Sequence, residues 1–96
     1  MEIEVTREAA KWYKDELDLS ASAHIRLFPR YGGVGGLIPG FSLGINLDLP
    51  EQIHASTDVE GITFFIEHKD AWYFQDKDHL KIDLNDELNE PEFIYT

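Results

Sequence analysis

The apolar residues of this chain recur mostly at every second position, in short runs that glycine, proline and polar residues interrupt. The clearest run is 41–48, in which apolar residues alternate with polar or small ones: Phe41, Leu43, Ile45 and Leu47. A period of two is typical of a strand with one buried and one solvated face, whereas an amphipathic helix repeats every 3.6 residues. We therefore expect a chain built mainly from short strands.

One segment near the N-terminus has the helical period instead. From Arg7 to about Asp18, apolar residues recur at every fourth position and form one stripe: Ala9, Tyr13 and Leu17. Thr6 stands where a helix N-cap accepts a hydrogen bond from a backbone amide. Ile3 and Val5 alternate with glutamates, which indicates a short strand before the helix.

Five further strands are expected, at 23–28, 62–66, 71–74, 80–84 and 93–95. Pro29 is expected to end the first of them because proline cannot donate to a sheet ladder. The runs 62–66 and 71–74 are expected to form a hairpin, since four residues join them, and the segment from Pro50 to Gly61 is expected to be a polar connection. The order strand, helix, strand and then mostly strands predicts an α+β fold with largely antiparallel sheets.

Length and charge exclude several classes of protein. The 96 residues leave room for one domain, 1–96, and 8 basic against 19 acidic side chains give a net charge of −11. Such a surface repels phosphates, so no nucleic-acid binding is expected. The longest apolar stretches are far shorter than the ~20 residues of a membrane helix, so no membrane span is expected either. The acidic N-terminal residues are unlike a signal peptide, which predicts a cytoplasmic protein.

The chain contains no cysteine. This excludes disulfides, thiol nucleophiles, thiolate zinc sites and cysteine-ligated iron–sulfur clusters. No serine stands in a GxSxG context, and the many carboxylates do not single out an acid/base pair. No catalytic residue is therefore predicted, and we interpret the chain as a protein that is not an enzyme.

The histidines do not have metal-ligand spacing, since their separations in sequence do not place two on one helical face: His24, His54, His68 and His79. Only His24 is expected on a strand face. No cofactor is predicted, and iron held by His24, Tyr31 and carboxylates stays open as an alternative, because nitrogen and oxygen ligands suit mononuclear iron.

Five of the eleven residues between Arg30 and Gly40 are glycine, so the backbone there must turn sharply or approach another group closely. The run is not a dinucleotide fingerprint, because the third glycine of GxGxxG would fall on Ile38 and a strand follows instead of a helix. We predict a binding loop at these residues, with a mobile connection between two strands as the alternative: Tyr31, Gly32, Gly33, Val34, Gly35 and Gly36.

The order of these features resembles a known family. The segments IEVTREAAKWY, IRLFPRYGGVGG, FSLGINL, ITFFIEHKDAWYF and IDLNDELNEPEFIY are similar, in order and spacing, to the HesB-like domain of A-type iron–sulfur carriers (IscA-like proteins). The likeness is greatest to the short, cysteine-free YneR-like branch. It covers nearly the whole chain and implies a compact β-sandwich-like domain of mostly antiparallel strands with one packed N-terminal helix.

The resemblance implies the scaffold without its cluster chemistry. The carriers have a cysteine in the loop after the second strand, where this chain has Val34, and a Cys-Gly-Cys tail after the last strand, where this chain has Thr96. Valine cannot replace a soft thiolate ligand, so cluster carriage does not transfer. The resemblance also implies self-association, and we expect a homo-oligomer.

Two functional hypotheses follow, with a small enzyme using carboxylates and a histidine as a distant third. The first is a HesB-like protein, not an enzyme, that binds a protein partner or a small ligand through the loop from Tyr31 to Gly40. The second keeps an iron connection, either as an accessory to iron–sulfur cluster assembly or as the mononuclear iron binder described above.

Overall fold

The structure is a computed structural model, and it describes residues 1–20, 22–33 and 36–96. The described residues form seven strands, one α-helix and one 3₁₀ helix. In chain order these are β1 Glu2–Val5, α1 Arg7–Glu16, β2 His24–Tyr31, β3 Phe41–Leu47, β4 Ile53–Val59, β5 Ile62–Glu67, the 3₁₀ helix His68–Phe74, β6 His79–Asn85 and β7 Glu90–Tyr95. The expected α+β class is confirmed.

The strands form two sheets whose inner faces enclose the core. One sheet has the order β1-β6-β7 and the other β3-β2-β5-β4. Strands β2 and β3, β4 and β5, and β6 and β7 pair antiparallel, whereas β1 with β6 and β2 with β5 pair parallel. Strands β1 and β4 lie in contact, so the two sheets meet along one side of the molecule.

The core combines alternate residues of the central strands with one face of α1. Ile25 and Leu27 of β2, and Leu80 and Ile82 of β6, are fully buried. The helix begins where it was expected, since the Thr6 Oγ1 accepts a hydrogen bond of 3.2 Å from the Ala9 amide. It adds to the core the side chains Ala9, Ala10 and Tyr13. Burial raises the pKa of Tyr13 above its usual value, because the ionised phenol would lose its hydration.

The hairpin expected between 62–66 and 71–74 is wrong. Residues His68–Phe74 form a 3₁₀ helix, not a strand. Within it Asp70, Tyr73 and Phe74 are buried while Trp72 is exposed. This is a spacing of three and four, which fits a helical turn and not the alternation of a strand.

The polar connection expected between Pro50 and Gly61 is also wrong, because it contains β4. This strand is an edge of the four-stranded sheet, where polar residues at alternate positions face solvent, and Ala55 is its one buried residue. It forms the hairpin with β5 through Glu60 and Gly61, which have φ angles of 53° and 76°. Two consecutive positive φ angles are typical of a two-residue hairpin turn.

Strand β2 does not stop at Pro29, as the sequence suggested, but continues to Tyr31. Pro29 lies opposite Leu43 of β3, and β5 pairs with β2 only as far as Arg26. At Pro29 no strand lies on the β5 side of β2, so the missing amide donor costs the ladder nothing.

Candidate functional site

Three aromatic side chains form a surface patch at the end of the four-stranded sheet. The Phe41 ring lies 5.6 Å from the Tyr31 ring and 5.5 Å from the Trp72 ring, both edge-to-face. Tyr31 is 87% exposed and Trp72 is 52% exposed, although both are large and largely apolar. We call Tyr31, Phe41 and Trp72 the aromatic patch.

Separate elements position the aromatic patch. Tyr31 ends β2 and Phe41 begins β3, and the antiparallel register places them directly opposite each other. Trp72 comes from the 3₁₀ helix, whose next residue, Tyr73, is fully buried and also contacts the Phe41 ring. The patch is therefore an exposed extension of the aromatic core, held by a residue on its inner side.

The glycine-rich loop connects Tyr31 to Phe41 and is tied to the same core. The Gly32 amide donates to the Gly40 carbonyl at 2.7 Å, and the Leu37 amide donates to the Tyr73 hydroxyl at 2.8 Å. Gly36 must be glycine for steric reasons, because a Cβ there would overlap the Phe41 carbonyl oxygen and lie 2.6 Å from the Tyr73 hydroxyl.

Part of the predicted binding loop can be located. The structure describes Tyr31, Gly32, Gly33 and Gly36. The other two predicted residues, Val34 and Gly35, lie outside the described residues. Gly32 and Gly33 have φ angles of 98° and 78°, which L side chains rarely adopt. The binding role of these residues stays a prediction.

A buried ion pair anchors the 3₁₀ helix beside this site. The Nε and Nη2 atoms of Arg26 donate to Oδ2 of Asp70 at 3.0 and 2.9 Å, and Nη1 lies 3.6 Å from Oδ2 of Asp48. The guanidinium also lies 5.0 Å from the centre of the Phe28 ring. Because Asp70 comes two residues before Trp72, this pair helps to place the aromatic patch.

The structure does not bring together the two residues considered for iron. His24 begins β2 and Tyr31 ends it, so the strand separates them by about 23 Å at ~3.3 Å per residue. The rings of His54 and His68 lie 6.2 Å apart, but within residues 1–20, 22–33 and 36–96 no three histidine and acidic residues form a group suited to a metal ion.

Sequence reasoning missed Phe41 and Trp72 as site residues. The sequence pattern places Phe41 in the strand at 41–48 and Trp72 in the strand expected at 71–74. The sequence carries no signal that separates Trp72 from its buried neighbours, because the helical spacing of Asp70, Tyr73 and Phe74 includes an aspartate that is buried only through its pairing with Arg26. The proximity of Trp72 to Tyr31 depends on the tertiary structure.

No helix in the described part of the chain is long and apolar enough to cross a membrane.

Comparisons with known proteins place the chain among small bacterial proteins. No family model matches it, and no solved structure matches it. It is 41% identical over 95 residues to a Bacillus subtilis protein named pyruvate dehydrogenase inhibitor, with 99% of each chain covered. It is 38% identical over 93 residues to an uncharacterized protein of Staphylococcus saprophyticus, with 94% of each covered, and 36% identical over 98 residues to one of Staphylococcus epidermidis, covering 99% of this chain and 97% of that one. The chain therefore belongs to the family that contains these staphylococcal proteins and the Bacillus protein named pyruvate dehydrogenase inhibitor.

Proposed function

We propose that this chain is a cytoplasmic regulatory protein, not an enzyme, that binds a pyruvate dehydrogenase and lowers its activity. The observation that carries the proposal is the full-length similarity to the Bacillus subtilis protein of that name, at 41% identity. Inhibition by binding needs a recognition surface and no catalytic group. It therefore agrees with a sequence in which no catalytic constellation was found.

The aromatic patch supports a protein partner. Tyrosine and tryptophan are enriched among the residues that contribute most to protein–protein binding, because they bury a large area at low entropic cost. Tyr31 and Trp72 expose such rings on a rigid base, since Phe41 and Tyr73 hold them from below. The net charge of −11 favours a partner with a basic surface around the contact and speeds association with it.

The HesB-like scaffold, spanning 1–96, is part of this proposal. The N-terminal helix, the two packed sheets and the glycine-rich connection between β2 and β3 support it. In the carriers that connection holds a cysteine, whereas this chain has Val34 there and no cysteine elsewhere. We propose that the family retains the scaffold and uses the loop region to contact protein instead of a cluster.

The direct test is an activity assay of the purified pyruvate dehydrogenase complex of Bacillus subtilis with increasing amounts of this protein. We expect inhibition that saturates with a binding isotherm, and co-sedimentation of the two proteins. The Bacillus relative serves as the positive control. Full activity at saturating protein, in conditions where the relative inhibits, rejects the proposal.

The role of the aromatic patch is tested with the double variant Tyr31→Ala/Trp72→Ala. We expect about 30-fold more protein to be needed for half inhibition, since a single dominant contact residue contributes about 2 kcal/mol. The variant should fold, because both side chains are exposed. Leu88→Ala is the matched control, because Leu88 is exposed in the turn between β6 and β7, outside the aromatic patch. Equal potency of both variants and the parent protein excludes the aromatic patch.

The role of the loop is tested separately with Gly36→Ala. The added Cβ would collide with the Phe41 carbonyl oxygen, so the loop must leave its position against Tyr73. We expect weaker inhibition with an unchanged circular dichroism spectrum of the sheets. Gly61→Ala lies in the β4–β5 turn, where the φ angle of 76° strains an alanine but a Cβ meets no atom within 4 Å. It is therefore the control for a loss of stability that does not displace the loop.

We also propose that the chain forms a homo-oligomer. Four leucines line an open groove of about 530 Å³ at the end of the molecule where β3 ends, and three of them are exposed: Leu17, Leu47 and Leu49. Sedimentation velocity up to high micromolar concentration should show a dimer or larger species, and Leu47→Glu/Leu49→Glu should shift it to monomer. Leu88→Glu, at an exposed leucine outside the groove, is the control. A parent protein that stays monomeric contradicts the proposal.

A further inference from the structure

Two sheet edges face each other across an open groove on the side of the molecule opposite the β1–β4 contact. Strand β3 is the edge of one sheet and β7 the edge of the other. A groove of about 620 Å³ lies between them, with residues of both edges in its walls and Trp12 and Tyr13 of α1 below. We call this groove the seam. No residue of the aromatic patch lines it.

The backbone of β3 offers unused hydrogen-bonding groups to the seam. In an antiparallel pair, residues alternate between pairs that exchange hydrogen bonds and pairs that do not. The Gly32 amide donates to Gly40 and the Asp48 amide donates to His24, so the even-numbered residues of β3 bond to β2. The odd-numbered Leu43 and Ile45 therefore direct their amides and carbonyls away from β2.

The same reasoning applies to β7. The Thr96 amide donates to the His79 carbonyl, which places Ile94 and Glu92 in the pairs that bond to β6. Phe93 then directs its amide and carbonyl into the seam. The Ile82 carbonyl, opposite Phe93, accepts from the Thr6 amide on the β1 side, in agreement with this pattern. By this alternation, the β2–β3 and β6–β7 ladders do not use the amides of Leu43, Ile45 and Phe93.

The walls of the seam suit an extended peptide. Gly44 has no side chain, and a Cβ there would lie 3.0 to 3.1 Å from the side chains of Arg30 and Phe28. This glycine keeps the middle of the β3 edge open to a close backbone approach. Apolar side chains are available on both sides to contact alternate residues of an added strand: Leu43, Ile45, Pro91 and Phe93.

We propose that the seam binds an extended, basic segment of a partner protein, which adds a strand to β3 through the backbone groups of Leu43 and Ile45. Strand addition to an open edge is a recurring mode of peptide recognition, in which main-chain hydrogen bonds give affinity and side-chain pockets give specificity. Arg30 and Glu90 are the charged residues that line the seam. Glu92 is exposed on the same strand as Glu90, and Asp86 and Glu87 are exposed in the preceding turn, so carboxylates outnumber the cation around the seam. Together with the net charge of −11, these carboxylates select lysine and arginine in the segment and disfavour a second copy of this acidic chain.

The probe is a synthetic octapeptide of alternating lysine and valine, added to isotopically labelled protein and followed by amide hydrogen exchange. We expect at least tenfold slower exchange at Leu43 and Ile45, and no change at the amides of β4, the opposite edge of the same sheet. A peptide with N-methyl groups at alternate residues keeps the charge and apolar surface but lacks the donors, and it should give no protection. Protection by the methylated peptide, or none by either, overturns the proposal.

The charge selectivity is tested with Glu90→Lys/Glu92→Lys, two substitutions at exposed positions. We expect this variant to lose affinity for the lysine peptide and to gain it for a glutamate–valine octapeptide. If the variant keeps the parent's preference for the lysine peptide, the proposal that the bound segment is basic is overturned. Slow exchange at Leu43 and Ile45 in concentrated protein without peptide identifies a second copy as the occupant and overturns it also.

This inference concerns a surface other than the aromatic patch, so the two proposals can fail separately. The Tyr31→Ala/Trp72→Ala variant should still bind the lysine peptide. Peptide binding in a protein that does not inhibit pyruvate dehydrogenase rejects only the proposed function. Inhibition by a protein that binds no peptide rejects only the seam.

Discussion

Asp70→Ala is expected to lower the free energy of unfolding by about 3 kcal/mol, because it leaves the Arg26 guanidinium buried without its main partner. Both side chains are largely shielded from water, and two of the arginine nitrogens donate to one carboxylate oxygen of Asp70. Asp48 can compensate only in part, since its carboxylate is 3.6 Å away and half exposed. Urea unfolding followed by circular dichroism measures the change.

The controls separate the loss of a partner from the loss of packing. Arg26→Met/Asp70→Leu removes both charges, and replacement of a buried pair by apolar side chains of similar volume is often neutral or stabilising. We therefore expect this double variant to be more stable than Asp70→Ala. Arg7→Ala breaks an exposed pair with Glu60 and should change stability by less than about 0.5 kcal/mol. Equal effects of Asp70→Ala and Arg7→Ala would contradict the buried pair.

Tyr73→Ala is expected to cost about 4 kcal/mol, the range found for truncation of a buried aromatic side chain. The ring is fully buried and contacts the rings of Phe41, Trp72, Phe74 and Tyr95. Its removal leaves a cavity under the aromatic patch and frees the glycine-rich loop. We expect lower stability in urea together with loss of the pyruvate dehydrogenase inhibition that we propose.

Tyr73→Phe isolates the hydroxyl from the ring. It keeps the core volume but removes the acceptor for the Leu37 amide, for a cost of about 1 kcal/mol. The Leu37 amide should then exchange faster while core amides such as that of Phe64 do not. Phe74→Leu is the matched control, since it reduces core volume beside Tyr73 without touching this hydrogen bond. Unchanged exchange at Leu37 would show that the loop does not depend on Tyr73.

Burial also raises the pKa of Tyr95, with a smaller contribution from the neighbouring Tyr73. The Tyr95 ring lies 6.3 Å from the Phe74 ring, so this face of the C-terminal strand packs against the aromatic core while alternate residues of the strand are exposed. The sequence had indicated this strand by its aromatic and apolar residues, and its bounds in the structure are Glu90–Tyr95. Local pattern was sufficient there because the strand alternates.

Local sequence pattern was insufficient where the burial of one face of an element depends on residues that are distant in the chain. Residues 71–74 are all apolar or aromatic, so no alternation distinguishes a strand from a helical turn. The 3₁₀ helix is stabilised by Arg26, which lies 44 positions earlier and neutralises Asp70. The prediction for β4 was wrong for a different reason. An edge strand can be polar on one face and mostly exposed on the other, so its sequence resembles a polar connection.

The sequence by itself determined the α+β class, the position of α1, the alternating strand β3 and the exclusion of thiol chemistry. These follow from caps, periodicity and composition, which act between residues close in the chain. Only the tertiary structure decided that Tyr31, Phe41 and Trp72 meet, that His24 and Tyr31 do not, and that β3 and β7 face each other across the seam. These distances are determined by strand order and register. Strand order and register depend in turn on burial summed over the whole chain, and not on any local segment.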